Sequence, residues 1–192
     1  MIPNCLGKTI HKVDYQYRSP IQTICLAGYS PEKQHGSLIR VFAQVIKAHP
    51  GARLDLYGSG NERIGIMEKI QELGLEKNIF ANDYADNIEK IYDSASLGVL
   101  TSRLEGFPLF ILESISHGCP CVSYDIDYGP SDMIEDDING FLIELNNEEE
   151  MAQKICSLVD DPKKMAAMSE ASYKKAEQFQ ADVVSRSWHD LF

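Results

Sequence analysis

The sequence is short of positive charge and has no long apolar run. Eighteen lysines and arginines stand against 29 aspartates and glutamates, a formal net charge of −11. Such a chain is repelled by nucleic-acid phosphates and anionic membrane surfaces, which excludes both as main partners and leaves room only for a local basic patch inside a cleft. No stretch approaches the roughly 20 apolar residues that a membrane span needs. The N-terminus lacks the apolar segment of a secretory signal. A cytoplasmic location is therefore expected. Cysteines are few and odd in number: five, at positions 5, 25, 119, 121 and 156, with no pair at zinc-finger spacing. Cys119 and Cys121 flank Pro120 and lead into an apolar run, so they read as reduced core residues, as suits a reducing compartment. Internal repeats, low-complexity tracts and a Gly-x-x-x-x-Gly-Lys-Ser/Thr phosphate loop are all missing.

What is present is an alternation. The 192 residues suffice for one domain with a core, and an apolar fraction of 44% is ordinary for a globular chain. Residues 1–20 hold Pro3, Gly7 and Pro20 without a sustained period, and read as an interdomain linker or irregular arm. Short apolar runs at 23–27, 53–57, 78–81, 97–101, 121–124 and 140–143 read as buried strands. Helical spacing marks 35–49, 62–73, 87–93, 108–117, 148–159, 162–179 and 181–191, with Gly74 and Gly118 as stops. Strands alternating with helices, the strands nearly all apolar, predict a Rossmann-like, doubly wound parallel α/β sheet of about six strands over 21–192. Ligands of such sheets bind at the carboxyl ends of the strands.

The loops at those ends carry the chemistry. After the first strand comes Gly28-Tyr29-Ser30-Pro31-Glu32-Lys33, with Lys33 just before a helix. A lysine beside unpaired helix N–H groups suits a phosphate, and equally occurs as a solvated surface residue. Gly58-Ser59-Gly60 follows the second strand and suits a turn. After the fourth strand, Thr101-Ser102-Arg103-Leu104-Glu105-Gly106-Phe107-Pro108-Leu109 leads to Glu113. Read along a helix at 1.5 Å per residue, Glu105 and Glu113 lie roughly 12 Å apart, about the span from a sugar across a diphosphate to a ribose. Glu113 can accept from vicinal ribose hydroxyls and Glu105 from a sugar, while the N–H groups of Gly106 and Phe107 face the positive end of the helix dipole. A glutamate pair at this spacing also arises by chance, although Glu113 is out of place on a helix otherwise apolar from 107 to 112. Asp125-Ile126-Asp127 has a metal-like spacing but no fixed third ligand, and no metal is assigned to it. His117, late in its helix, reads as packing or a helix-terminal cation rather than a base.

In combination these segments resemble glycosyltransferase family 4, of the GT-B fold. Glu105-Gly106-Phe107 with Glu113 resembles that family's E-x7-E signature, and the loop from Gly28 to Lys33 its Gly-Arg-x-x-x-x-Lys loop. Gly118-Cys119-Pro120-Cys121-Val122 and the turn from Glu135 to Phe141 resemble further segments of that family in order. Tyr128-Gly129-Pro130-Ser131-Asp132 resembles a narrower group, the bacterial teichoic-acid α-glucosyltransferases and related adhesin N-acetylglucosaminyltransferases.

The resemblance implies the C-terminal, donor-binding half of a retaining enzyme. The donor would be a UDP-sugar, with no cofactor and no required metal. It implies Lys33 on the donor diphosphate, Glu113 on the ribose, and Glu105 with the Gly106 and Phe107 backbone on the transferred sugar. Gly28, Tyr29, Gly58, Arg103, Pro108 and Leu109 complete the expected donor contacts. Two departures stand out. Tyr29 occupies the place of the family's arginine, with Arg103 a nearby substitute cation. The acceptor domain is not in this sequence, and Ile2-Pro3-Asn4 resembles the interdomain linker. Partners would be the UDP-sugar and that N-terminal domain, to which any peripheral membrane contact would fall. The last helix would leave apolar surface at Trp188, Leu191 and Phe192, and the fragment alone would not transfer sugar. The rival reading is a degenerate, non-catalytic module that binds a nucleotide weakly or stabilises a partner. Tyr29 favours that rival; Lys33, Glu105 and Glu113 favour the enzyme. A flavodoxin-like signalling domain leaves the Glu105–Glu113 segment unexplained.

Overall fold

A computed structural model describes residues 4–7, 10, 12–13, 15, 18–19, 21–84 and 87–189, without the side chains of 187–189. Six parallel strands form one sheet: β1 (Gln22–Leu26), β2 (Arg53–Tyr57), β3 (Ile79–Asn82), β4 (Leu97–Leu100), β5 (Cys121–Asp125) and β6 (Gly140–Glu144). Their spatial order is β3-β2-β1-β4-β5-β6. The chain winds outward from β1 in one direction, then returns and winds the other way from β4. The two central strands pair in parallel, Thr23 opposite Leu97 and Ile24 opposite Gly98. Where two neighbouring strands send their connections in opposite directions, a crevice opens at their carboxyl ends.

Helices cover both faces, so the strands are buried on both sides, and Ile24, Leu54, Leu56, Val99, Val122 and Ile143 are fully enclosed. The helices are α1 (His35–Ala48), α2 (Arg63–Glu72), α3 (Ile88–Ser94), α4 (Leu109–Ser116), α5 (Pro130–Met133), α6 (Glu148–Asp160), α7 (Pro162–Ala176) and α8 (Ala181–His189). Helix α1 packs on α6, and α4 on α7. A 3-10 turn at Pro31–Lys33 precedes α1, and another at Glu177–Phe179 follows α7. Asn87, Asn147 and Asp161 cap α3, α6 and α7 by accepting backbone N–H bonds.

Two glycines set the packing near the crevice. A Cβ on Gly58 would lie 2.1 Å from the Ala27 carbonyl oxygen, so only glycine lets the β2 loop press against the end of β1. Gly118 stops the α4 segment with φ +64, and a Cβ there would enter the Tyr173 ring at 2.2 Å. The described part of the N-terminal arm is irregular and held down. Leu6 N–H donates to Phe179 O at 2.8 Å. The buried Arg18 guanidinium donates to the carbonyls of Ala95, Gly118 and His117. The expectations for Ile2 and Pro3, the Trp188 side chain, Leu191 and Phe192 lie outside the described residues.

Candidate functional site

The loops after β1 and β4 meet at the switch point. Thr101, at the end of β4, donates its hydroxyl to the carbonyls of Lys33 and Gln34 at 3.0 and 3.2 Å. Arg103 N–H donates to Glu32 O at 2.9 Å. These bonds lace together segments about 70 residues apart in sequence. Their product is the contact between the two residues singled out from sequence. Lys33 Nζ lies 2.7 Å from Glu105 Oε1, and both side chains are mostly shielded, at 22% and 11% exposure. An ammonium has three donors, so Lys33 can keep Glu105 and still offer N–H groups to an anion.

A cleft of about 320 Å³ opens at the carboxyl ends of β1 and β2, and neither Lys33 nor Glu105 is among the described residues that line it. Gly28, Gly58, Leu109 and Glu113 line it, together with Tyr57, Ser59, Tyr84, Ile88 and Phe110. The first N–H groups of α4 have no acceptor within the helix, and Leu109 and Phe110, the residues that carry them, stand on the cleft wall. Glu113 is half-buried and accepts from the Tyr92 hydroxyl at 2.7 Å. The lining combines the apolar Leu26, Ile88 and Phe110 with the polar Ser59 and Glu113, the mixture found in small-molecule sites.

Several expectations need correction. Tyr29 does not line the cleft: its side chain is fully buried, and its hydroxyl donates to Asn82 O at 2.6 Å and Leu56 O at 3.2 Å. Burial pushes its pKa well above the ordinary phenol value. Its backbone N–H and C=O are also occupied, by Ser59 O and Glu62 N–H. The loop folds back so that this large ring fills the space under the ends of β2 and β3. Helix α4 starts at Leu109, so Glu105 sits on the preceding loop and a helical rise does not measure its distance from Glu113. For the same reason Gly106 and Phe107 precede the helix start. Phe107 is half-buried, edge-on to Phe179 with centroids 6.0 Å apart, and Pro108 is buried against Gly129. Arg103 is exposed; like Lys33 and Glu105, neither it nor Gly106, Phe107 or Pro108 is among the described residues lining the cleft, whereas Gly28, Gly58, Leu109 and Glu113 are.

Sequence reasoning passed over Tyr57, Tyr84 and Ile88 as lining residues and Tyr92 as the partner of Glu113. Tyr57 ends a strand, a position where a signal was available; Tyr92 looked like any residue of a short polar helix. Among the described residues no cluster of three or more His, Cys, Asp or Glu could hold a metal, and no helix is long and apolar enough to cross a membrane.

Comparison with known proteins follows the same segments. The sequence model of glycosyl transferases group 1 matches residues 8–175. The poly(glycerol-phosphate) alpha-glucosyltransferase of Bacillus subtilis is 37% identical over 150 residues, 78% of this chain and 22% of that protein. The poly(ribitol-phosphate) alpha-N-acetylglucosaminyltransferase of Staphylococcus aureus is 35% identical over 163 residues, 84% of this chain and 33% of that protein. Among solved structures, the pneumococcal O-GlcNAc transferase GtfA in complex with UDP and GlcNAc superposes with a TM-score of 0.86 at 28% identity. That match covers 95% of this chain and 37% of GtfA. The chain thus spans a third or less of the length of the first curated relatives it matches. Its six-stranded sheet is that of the GT-B glycosyltransferases. A family match that runs through both loops of the crevice, on a sheet of the same architecture, makes this chain a member of the group 1 glycosyl transferases.

Proposed function

We propose that the chain is the donor-binding domain of a retaining glycosyltransferase. It takes a UDP-hexose, glucose or N-acetylglucosamine, for transfer to a cell-wall polymer, glycan or protein acceptor in the cytoplasm. The observation that carries this reading is the Lys33–Glu105 ion pair across the switch point, with Glu113 on the wall of a cleft that Gly28, of the same loop as Lys33, also lines. The uridine enters the cleft and its ribose hydroxyls donate to Glu113. The diphosphate meets Lys33 and the N–H groups of Leu109 and Phe110. Glu105 accepts from the hydroxyls of the transferred sugar. As the bond from the anomeric carbon to the diphosphate breaks, negative charge grows on the leaving group. In this reading Lys33 and the α4 N-terminus meet that charge, and donors fixed in advance need little reorganisation. No metal is invoked, since Lys33 and the helix supply the positive field. Two relatives support the ligand class: GtfA is described in complex with UDP and GlcNAc, and a Staphylococcus aureus TarM variant in complex with UDP.

Transfer needs the acceptor oxygen within about 3–3.5 Å of the anomeric carbon. The acceptor domain supplies that oxygen and closes the site against water. The rival reading, a non-catalytic nucleotide-binding module, keeps one supporting observation: position 29 supplies no cation to the cleft. A crystal structure with UDP-glucose or UDP-N-acetylglucosamine tests the proposal. Expected are ribose oxygens on Glu113 and phosphate oxygens on Lys33. A nucleotide bound elsewhere, or one whose phosphates avoid Lys33, contradicts it.

A further inference from the structure

Glu113 has a partner on a different helix. Tyr92, on α3, is 1% exposed and donates its hydroxyl to Glu113 Oε2 at 2.7 Å. Its ring stacks on the His117 imidazole, with centroids 5.2 Å apart and planes at 21°. The Phe110 ring lies at 6.2 Å, tilted by 30°. His117 Nδ1 lies 2.7 Å from Asp93 Oδ1, the residue next to Tyr92 on α3. Two short helices are thus joined by two polar contacts with a ring stack between them. The arrangement fixes where the phenol oxygen points.

Glu113 needs such a partner because it stands between two hollows. One is the cleft; the other, of about 380 Å³, is lined by Leu6, Ile10, Glu113 and Tyr92 itself, so the Tyr92 bond ties Oε2 on that side and leaves Oε1 free for the cleft. A glutamate with open space on both sides can turn either way. Resting on the reading of Glu113 as the ribose acceptor, we infer that Tyr92 is a positioning residue that holds the Glu113 carboxylate toward the ribose hydroxyls. An ionised carboxylate only accepts, at about four lone-pair sites on two oxygens. Tyr92 takes one site on Oε2, which leaves Oε1 and the remaining sites for a vicinal diol. Burial, with the neighbouring carboxylate, raises the Tyr92 pKa well above the ordinary value, so the hydroxyl stays a donor at neutral pH. Without that bond, the ordering of Glu113 is charged to each binding event.

The test is Tyr92→Phe, which keeps the ring and its stack and removes one oxygen. Titration calorimetry compares UDP with 2′,3′-dideoxyuridine diphosphate for the wild type and the variant. The wild type should favour UDP by about tenfold or more, the worth of a charge-assisted hydrogen bond. Tyr92→Phe should narrow that preference several-fold and leave the affinity for the dideoxy ligand unchanged. An equal loss for both ligands, or an unaltered preference, overturns the inference, because a merely structural tyrosine would act without regard to ribose hydroxyls. A wild type that shows no preference overturns the ribose reading of Glu113 itself, a failure distinct from that of Tyr92.

Discussion

Replacing Tyr29 separates a donor-site residue from a packing residue. Its hydroxyl donates to Asn82 O at 2.6 Å and to Leu56 O at 3.2 Å. Leu56 O also accepts from Asn82 Nδ2 at 3.2 Å, so it remains satisfied in Tyr29→Phe. Asn82 O is left with a long 3.4 Å bond from Gly58 N–H. One buried acceptor is then poorly met, a cost of about 1–2 kcal/mol. For a chain of 192 residues, each kcal/mol shifts the midpoint by roughly 2–4 °C, so the melting temperature should fall by about 2–8 °C. Tyr29→Arg is the harsher change. It puts the family's cation at a site where the tyrosine has no exposure and stands edge-on to His35 at 5.1 Å. An unpaired buried charge costs about 3–5 kcal/mol. The arginine variant should therefore be much less stable than the phenylalanine variant and should not bind UDP more tightly. Urea and thermal unfolding, with UDP titration of each variant, measure both quantities. A Tyr29→Arg protein as stable as wild type, with tightened UDP binding, would show that position 29 faces the cleft and would refute the packing role.

Glu113→Ala should weaken UDP binding by about 1.5–3 kcal/mol through lost charge-assisted hydrogen bonds. Glu105→Ala should leave it nearly unchanged, because Glu105 meets the sugar rather than the nucleotide; calorimetry that finds the reverse order contradicts the role assignment. His35 is buried, and neither ring nitrogen has a partner among the described residues. Burial, with Lys33 nearby, holds its pKa down at about 4 against 6.5 for the free side chain. As pH falls the unfolded chain takes up the proton first, so stability present above about 6.5 is lost on the way down to about 4. The loss amounts to about 3 kcal/mol. His35→Phe should flatten that loss in urea unfolding between pH 7 and pH 4.5; an unchanged pH dependence would mean that another group governs it.

The strands are legible because each is a short apolar run bounded by turn residues. All six runs end within one or two residues of the observed strands, and their alternation with helices is enough for a parallel sheet. Strand order is not legible, since nothing local to β1 says that β4 is its neighbour. Helix α5, Pro130–Met133, leaves no trace in the pattern because four residues carry no period. In the site, Lys33 and Glu105 stand out on separate loops, and their contact depends on the Thr101 and Arg103 bonds that only the tertiary structure supplies. Tyr29 misleads because position in a motif says where a backbone lies, not where its ring points. A large aromatic set between Gly28 and Ser30 in a polar loop is the available sign of a buried anchor. Tyr92 escapes because its partner is 21 residues away, on another helix.

If this crevice holds a UDP-sugar without metal, it must select uridine and tolerate chelation. Titration of the chain with UDP, ADP and GDP, each in the presence of EDTA, measures both. UDP should bind most tightly, and EDTA should leave its affinity unchanged. Equal affinity for the three nucleotides, or loss of UDP binding when EDTA is added, would mean that the crevice is not a metal-free UDP-sugar site.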